Sequence, residues 1–405
     1  MGRVLFACIL FSLFPIVFAH TISPDFASSM MYQVLVGIMF ILQSVIVLKY
    51  FLTSETKTIK IIFLIYALIL TISQLITLLL SSLTIGINYL DIINAFARFI
   101  SVFIFLCIPS KMTISKDDFR RFMLLITILG LVASLYNLVT NFREALNILN
   151  INNAYEVSFT SFYLNRNSFA QLLLFSIIAN SFLNSETKRK YRLLFYLLYF
   201  INIFLTLSRT VLASVIIFLV VSSVIYKRNI IKGSIIILIA IIILALLIQT
   251  KPDIKRFIID MVVRKETGTS GRTDLWSVGI RILDDSNWFF GVGYISSIDI
   301  INDMGFSSHE FHSFYIETLV GGGIIDLLLH LIILIFISAR IKVIYKNDRK
   351  IGALYFSAYI SLLVYAMFES ASIFSMGYVG TLFTIFIVTI PLLYSNNFLS
   401  EPTAT

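Results

Sequence analysis

The sequence predicts an all-α polytopic membrane protein with about 12 transmembrane helices and one long extracytoplasmic loop. Hydrophobic residues make up 59% of the 405 residues and charged residues only 13%, whereas a soluble domain carries about 25% charged residues. So little charge cannot cover a water-facing surface of this size. Apolar runs recur along the whole chain, and a run of about 18 residues or more can cross about 30 Å of hydrocarbon.

Each apolar run predicts one transmembrane helix. The predicted spans are 4–22, 31–52, 61–83, 89–108, 122–140, 166–184, 193–208, 210–226, 233–250, 313–338, 351–369 and 376–395. The short pair 193–208 and 210–226 must turn sharply around Ser208-Arg209. The first run also resembles a signal peptide, because Val17-Phe18-Ala19 precedes His20. A retained span is preferred, and cleavage would leave the remaining topology unchanged.

The basic residues orient this bundle. Lys and Arg are concentrated in alternate short loops, and the intervening short loops nearly lack them. The positive-inside rule therefore places both termini in the cytoplasm. The same distribution accounts for the net charge of +9 without a nucleic-acid partner. Cys8 and Cys107 both fall within predicted spans, so neither a disulfide framework nor a cysteine metal site is expected.

This topology divides the chain into residues 1–250 with helices 1–9, a large loop at 251–312, and residues 313–405 with helices 10–12 and a short cytoplasmic tail. The loop breaks the positive-inside pattern through Lys251, Lys255, Arg256, Arg264, Lys265, Arg272 and Arg281. Long loops cross the membrane largely regardless of charge. Trp276 and the turn Gly291-Val292-Gly293 indicate that the loop folds against the bundle.

Two arginines are the strongest candidates for binding an anion outside the cytoplasm. Arg209 lies at the outer end of a predicted span, and Arg272 follows the flexible, hydroxyl-rich segment Thr267–Gly271. A guanidinium stays charged and binds phosphate oxygens bidentately. The alternatives are a snorkelling side chain for Arg209 and a solvated loop charge for Arg272. Arg264 and Arg281 are weaker candidates for binding the same anion.

His312 is the candidate general base, because histidine titrates near neutral pH and can accept a proton from a hydroxyl. It lies just before a predicted span, in a chain with four histidines, and His309 is a second candidate beside it. An ordinary interfacial histidine is the alternative. His309, Glu310 and His312 could also suggest a metal site, but their spacing is a weak signal. No metal and no other cofactor is predicted.

Ionisable residues within apolar runs are functional candidates because they are costly in lipid. They are Asp91, Arg98, Glu317, Asp326, His330 and Glu369. Asp91 and Arg98 share a helix face and either pair with each other or contact substrate. Asp326 and His330, at i, i+4 spacing, share a helix face deeper toward the cytoplasm and are interpreted as structural. Glu369 lies near the outer end of its span, close to the expected site. The run Gly321-Gly322-Gly323 permits tight helix packing or a kink.

Taken in order, several of these segments resemble the O-antigen ligase/polymerase superfamily of bacterial polysaccharide assembly. They are Asn165-Arg166-Asn167, the Ser-Arg pair in Thr206–Thr210, the Gly-Arg-x-x-x-Trp pattern of Gly271–Trp276 followed by Gly291–Gly293, and His312–Tyr315 with Gly323–Ile325. Ser313 and Asp326 stand where Asn and Gly are usual. The resemblance extends over residues 160–330 and beyond.

The resemblance implies a GT-C-type glycosyltransferase of the bacterial cytoplasmic membrane that acts on undecaprenyl-diphosphate-linked oligosaccharide. Arg209 and Arg272 would hold the donor diphosphate, with Arg98 as a second-tier contact. His312 would activate the acceptor hydroxyl, and Tyr315 or Glu369 would orient the sugar or the base. The chemistry would need no metal.

The leading hypothesis is a Wzy-type polymerase that transfers the growing polysaccharide onto a fresh lipid-linked repeat unit of a capsule or O-antigen. Its expected partners are the lipid-linked units, the growing polysaccharide, membrane lipids and a chain-length-regulating co-polymerase, but no nucleic acid. The alternative within the superfamily is a ligase that moves finished polysaccharide onto a terminal acceptor. An alternative of another class is a flippase or transporter, against which the lack of an internal repeat or inverted symmetry counts.

Overall fold

The computed structural model describes residues 61–84, 86, 88–146, 159–163, 165–186, 191–227, 271–306, 310–375 and 378–399, together with scattered positions between 38 and 49. Within these residues the secondary structure is helical and contains no strand. The helices, numbered along the described residues, are α1 (Ile61–Thr84), α2 (Tyr89–Val102), α3 (Lys116–Thr140), α4 (Phe142–Leu146), α5 (Arg166–Glu186), α6 (Tyr191–Thr206), α7 (Arg209–Lys227), α8 (Arg272–Asp284), α9 (Tyr294–Asp303), α10 (Phe314–Asn347), α11 (Arg349–Phe368), α12 (Tyr378–Thr384) and α13 (Ile390–Leu399).

Seven helical segments of the described part are long and apolar enough to cross a membrane. They are Ile61–Leu83, Tyr89–Lys111, Lys116–Thr140, Arg166–Ser185, Phe314–Asn347, Arg349–Phe368 and Gly380–Leu399. With the shorter apolar helices α6 and α7, they coincide with predicted spans and confirm the all-α polytopic fold. The predicted spans 4–22 and 233–250, and all but scattered positions of 31–52, lie outside the described residues. The orientation of the termini stays a prediction.

The sharp turn predicted around Ser208-Arg209 is present between α6 and α7. Leu207 adopts a left-handed backbone conformation with φ 54°. Its N–H donates to the Phe204 carbonyl (3.1 Å), and the Leu212 N–H donates to the Ser208 carbonyl (3.0 Å). The turn therefore pairs backbone groups that an apolar environment would otherwise leave unsatisfied.

The chain forms two compact units. The first comprises Met1–Ile114, Gly271–Asn347 and Ala366–Thr405, and the second comprises Ser115–Ser270 and Asp348–Tyr365, as far as these ranges are described. The predicted division at residues 250 and 312 follows membrane topology rather than packing and stays a prediction.

Small and polar side chains bring the helices of the second unit together. The Ser176 hydroxyl of α5 donates to the Ile126 carbonyl of α3 (3.0 Å), and a Cβ on Gly130 would collide with Ser176. The Asn137 amide of α3 donates to Asn202 of α6 (2.9 Å). Such contacts hold helices together in lipid, where burial of apolar surface supplies little driving force between helices.

In the first unit, α10 is interrupted at Gly323, whose φ of 73° and ψ of −173° are not helical. The turn that contains Trp288 fills the break. The Ile324 N–H donates to the Trp288 carbonyl (2.9 Å), and the Gly293 N–H donates to the Gly321 carbonyl (2.9 Å). Non-helical backbone at membrane depth is tolerated where protein buries and pairs it.

The triple glycine provides the room for this insertion. A Cβ on Gly323 would collide with the Phe289 carbonyl, and a Cβ on Gly321 would lie 2.7 Å from the Tyr294 ring. The tight packing and the kink that the sequence left as alternatives are therefore both present.

An apolar core joins α8 and α9 to α10. Its buried members are Leu275, Val278, Ile282, Leu283, Val292, Ile301, Phe311 and Val320. The described part of the large loop thus folds against α10, as predicted, and this packing sets the position of Arg272 at the start of α8.

Candidate active site

Arg272 begins α8, directly after Gly271, whose φ of 73° favours glycine. The Nη2 atom of Arg272 lies 2.7 Å from Oε1 of Glu369, the residue after α11. Only 17% of the Arg272 side chain and 7% of the Glu369 side chain are exposed. A charge-assisted contact this short is among the stronger hydrogen bonds in proteins. The guanidinium is therefore held in place by a buried carboxylate.

Trp276, one helical turn after Arg272, connects α8 to the segment before α10. The indole Nε1 donates to the Phe311 carbonyl (2.9 Å), and the ring centroid lies 6.3 Å from that of Phe368. A buried indole N–H usually requires such a partner. The spacing of the Gly-Arg-x-x-x-Trp motif thus brings its arginine to the segment that contains His312.

His312 occupies a strained position in that segment. Its backbone φ is 53°, a conformation that costs a non-glycine residue of order 1–3 kcal/mol. Its Nδ1 atom lies 2.8 Å from Oε1 of Glu310 and 3.9 Å from Oε2 of Glu369. The Phe314 N–H donates to the Glu369 carbonyl (3.2 Å), which joins the start of α10 to the end of α11. We refer to Arg272, Glu310, His312 and Glu369 as the Arg–His cluster.

The charges of the Arg–His cluster perturb one another. Burial lowers the pKa of His312, but the close contact and charge of Glu310, together with the charge of Glu369, outweigh this effect and the opposing charge of Arg272. The pKa of His312 therefore lies above its ordinary value of 6.5. Burial raises the pKa of Glu369, and the positive charge of Arg272 offsets part of that rise. A perturbed base beside a cation is typical of an active site.

Three members of the cluster could also hold a metal ion. Glu310, His312 and Glu369 each offer one ligand atom, and these atoms lie within 4.8 Å of one another. However, the Arg272 guanidinium contacts Glu369 at 2.7 Å, and a divalent cation at the same carboxylate would meet its positive charge. Independence from metal stays a prediction.

Of the remaining candidates from the loop and its border, Arg281 and Tyr315 belong to the described residues. Arg281 is exposed in the last turn of α8, where a cation complements the helix dipole. Tyr315 is half-buried in the first turn of α10, with its ring 5.2 Å from that of Phe314. Arg264 and His309 lie outside the described residues.

Two further motifs belong to the second unit. Arg209 is the first residue of α7, two residues after the left-handed Leu207, and is partly exposed. Its share in binding the diphosphate stays a prediction. The Asn165 side chain accepts from the Asn167 N–H (2.7 Å) at the start of α5, as an Asn that caps a helix does.

Asp91 and Arg98 each support the fold, but not as a pair. The Asp91 carboxylate accepts from the N–H groups of Ile295 (2.8 Å) and Ser296 (3.0 Å) and caps the start of α9. The Arg98 guanidinium lies 3.4 Å from the centroid of the Tyr294 ring and the residue is 3% exposed. Although both residues are described, no ion pair joins them, and none joins Arg98 to the Arg–His cluster.

Asp326 belongs to the same enclosed region. Its carboxylate accepts from the Tyr294 hydroxyl (3.0 Å) and from Gln74 (3.2 Å), and its backbone carbonyl lies 2.8 Å from Nδ1 of His330. Asp326 and His330 thus meet through the Asp326 backbone carbonyl, on the helix face that their spacing predicted. We refer to Arg98, Tyr294, Asp326 and His330 as the buried polar cluster.

Glu310 is the functional candidate that sequence reasoning missed, because it enters there only as a weak metal ligand. Its carboxylate is nevertheless closer to Nδ1 of His312 than that of Glu369. The sequence does carry a signal for Glu310, because a carboxylate two residues before a candidate base is a candidate partner of that base. The left-handed turn at His312 that brings the two side chains together has no clear sequence signature.

The described residues form a polytopic helical membrane protein in which Arg272 and His312 lie on either side of the buried Glu369 carboxylate. The sequence profile of the O-antigen ligase family matches residues 194–331, a segment that contains Arg209, Arg272 and His312. This match covers part of the chain and supports the O-antigen ligase/polymerase superfamily that the motifs predicted. No curated protein matches the chain. The superfamily implies a glycosyltransferase-like function on lipid-linked oligosaccharide or polysaccharide substrates.

Proposed function

We propose that the protein polymerises undecaprenyl-diphosphate-linked oligosaccharide repeat units on the outer face of the cytoplasmic membrane. The proposal rests on the position of Glu369, which bonds to Arg272 at 2.7 Å and lies 3.9 Å from His312, so that a candidate anion-binding cation and a candidate base belong to one cluster. A donor linked to a lipid diphosphate suits this face, because nucleotide sugars are confined to the cytoplasm.

Arg272 would hold the diphosphate of the donor, with Arg209 as the second predicted contact. Each charge-assisted hydrogen bond to the diphosphate contributes about 1.5–3 kcal/mol. Negative charge grows on the diphosphate as the glycosidic bond breaks, and a fixed guanidinium stabilises that charge in the transition state.

His312 would act as the general base through Nε2, because Glu310 engages Nδ1 at 2.8 Å. Nε2 takes the proton of the acceptor hydroxyl while the hydroxyl oxygen bonds to the anomeric carbon of the donor sugar. The bond from that carbon to the diphosphate oxygen breaks, and the polyprenyl diphosphate leaves with the electron pair. His312 then releases its proton to solvent. A carboxylate at Nδ1 stabilises the imidazolium formed during the step.

Transfer onto a fresh repeat unit rather than a terminal acceptor stays a prediction, as does the co-polymerase. The test supplies purified protein with a defined lipid-linked repeat unit and separates the products by length. A ladder of repeat lengths is expected, absent with His312→Asn and retained with the exposed control Asp303→Asn.

Two other results would change the conclusion. Transfer of finished chains onto a terminal acceptor, without a ladder, would make the protein a ligase. Movement of the lipid-linked unit across a vesicle bilayer with no new glycosidic bond would make it a transporter and overturn the enzymatic proposal.

A further inference from the structure

Glu369 is placed between two cationic partners at unequal distances. Its Oε1 lies 2.7 Å from Nη2 of Arg272, and its Oε2 lies 3.9 Å from Nδ1 of His312. The first distance is a direct hydrogen bond, whereas the second is too long for one. Glu369 thus engages Arg272 and stands next to His312 without bonding to it.

A diphosphate that binds Arg272 must compete with this carboxylate. Both anions need the same guanidinium hydrogens, and two anions on one poorly exposed cation repel each other. Glu369 is the more deeply buried carboxylate of the cluster, at 7% side-chain exposure against 38% for Glu310. A buried carboxylate that loses its cation must find another or become protonated. Among the described residues, the His312 imidazolium offers such a cation, with Nδ1 3.9 Å from Oε2 of Glu369.

We propose that Glu369 is a positioning residue that exchanges partners: the donor diphosphate displaces it from Arg272, and its carboxylate then moves closer to the His312 ring, whose Nδ1 atom Glu310 already contacts. The inference rests on the proposed function, since it takes the donor to be a lipid diphosphate. Before the donor binds, His312 has Glu310 as its close carboxylate and feels the positive charge of Arg272. After the donor binds, the diphosphate neutralises Arg272, and Glu369 adds its charge to that of Glu310.

The exchange makes the strength of the base depend on the presence of the donor. The charged groups that act on His312 are Glu310 from its own turn, Glu369 from the end of α11 and Arg272 from α8. Neutralisation of Arg272 and the closer approach of Glu369 both stabilise the imidazolium form of His312. Both therefore raise its pKa. The transition state, in which His312 takes up the acceptor proton, is therefore stabilised only when a donor is in place.

Binding of a short-chain polyprenyl diphosphate to the purified full-length protein tests the displacement directly. Glu369→Gln removes the competing charge and should tighten binding by about tenfold, which corresponds to about 1.4 kcal/mol. Arg272→Ala should weaken binding, and the exposed control Asp303→Asn should leave it unchanged. Unchanged or weaker binding by Glu369→Gln would overturn the exchange.

The unmodified protein offers a second readout in case Glu369→Gln does not fold. Titration calorimetry in buffers of different ionisation enthalpy measures protons taken up on diphosphate binding. The exchange predicts net proton uptake at pH values just above the pKa of His312 in the free protein, because that pKa rises on binding. Binding without proton uptake at these pH values would contradict the proposal.

Measurements of turnover distinguish the exchange from a purely structural role of Glu369. They also distinguish a failure of the exchange from a failure of the proposed function. Glu369→Gln should lower kcat without raising KM for the donor, and should shift the pH at which kcat reaches its plateau downward. Glu369→Asp, which keeps the charge, should recover part of kcat. A raised KM with an unshifted pH profile would contradict the exchange while polymerisation stands. Tighter diphosphate binding by Glu369→Gln in a protein that forms no glycosidic bond would contradict the proposed function and leave the exchange standing.

Discussion

The Arg–His cluster and the buried polar cluster contain similar side chains but differ in access and in pairing. Arg272 keeps 17% of its side chain exposed and pairs directly with Glu369. Arg98 is 3% exposed and lies over the Tyr294 ring, while the Asp326 carboxylate is taken by Tyr294 and Gln74. On our proposal, the first cluster exchanges a carboxylate for a substrate anion, whereas the charges of the second are buried. An arginine near a membrane span is thus a candidate for binding substrate when it is partly exposed and when a substrate anion could replace its carboxylate partner.

Removal of the base should have the largest effect on the reaction. His312→Asn keeps a residue that tolerates the left-handed backbone but cannot accept the proton, so kcat should fall by roughly 10²–10⁴-fold. Initial rates of glycosidic bond formation measure the loss, and thermal unfolding checks that the fold is retained. A near wild-type rate in a folded variant would remove His312 from the reaction.

Arg272→Ala should lower kcat by roughly 10²–10³-fold, as the loss of one preorganised group that stabilises transition-state charge does. Arg272→Lys should restore only part of the rate, because an ammonium lacks the planar fork that matches phosphate oxygens. Rates at saturating donor, measured for both variants beside wild type, distinguish these outcomes. Equal activity of the Lys variant and wild type would mean that charge alone suffices.

Arg98→Met should show the opposite behaviour. The variant leaves Asp326 buried without a nearby cation, and the free energy of unfolding should fall by roughly 3 kcal/mol. The turnover of the folded fraction should stay close to wild type. Denaturation in detergent and rate per folded molecule are the measurements. A large loss of turnover with stability intact would instead support the predicted second-tier contact between Arg98 and the diphosphate.

The pH dependence should reveal the carboxylates around the base. Glu310 and Glu369 raise the pKa of His312, so the rate should rise as pH increases through a midpoint above 6.5. Glu310→Gln should move that midpoint down. Because the folded pKa is raised, the stability contributed by His312 is complete below its unfolded pKa and is lost as pH rises through the folded pKa. An unchanged midpoint in Glu310→Gln would show that Glu310 does not set the pKa of the base.

Chelation should have the smallest effect. The predicted chemistry uses Arg272 rather than a metal to neutralise the diphosphate, so EDTA should leave the rate unchanged. If EDTA abolishes activity and a divalent cation restores it, then Glu310, His312 and Glu369 would be metal ligands rather than a base and its carboxylates.

The sequence by itself determined the all-helical membrane fold and most span positions, because transfer of an apolar run into lipid depends on local composition. It also singled out Arg272 and His312 as candidates, and it predicted the sharp turn around Ser208-Arg209 and the opportunity for a break at Gly321–Gly323. These are properties of single residues or short segments, so local sequence is sufficient to predict them.

Only the tertiary structure decided which charges meet. Arg272 and Glu369 are 97 residues apart, and their contact depends on how α8 packs against α10 and on where α11 ends. Asp91 and Arg98 share a helix face, yet each has a partner from the loop, because the loop turn inserts at the break in α10 and brings Tyr294 and Ser296 against α2. Side-chain contacts between distant segments follow from packing and backbone direction, which hydrophobic periodicity does not encode.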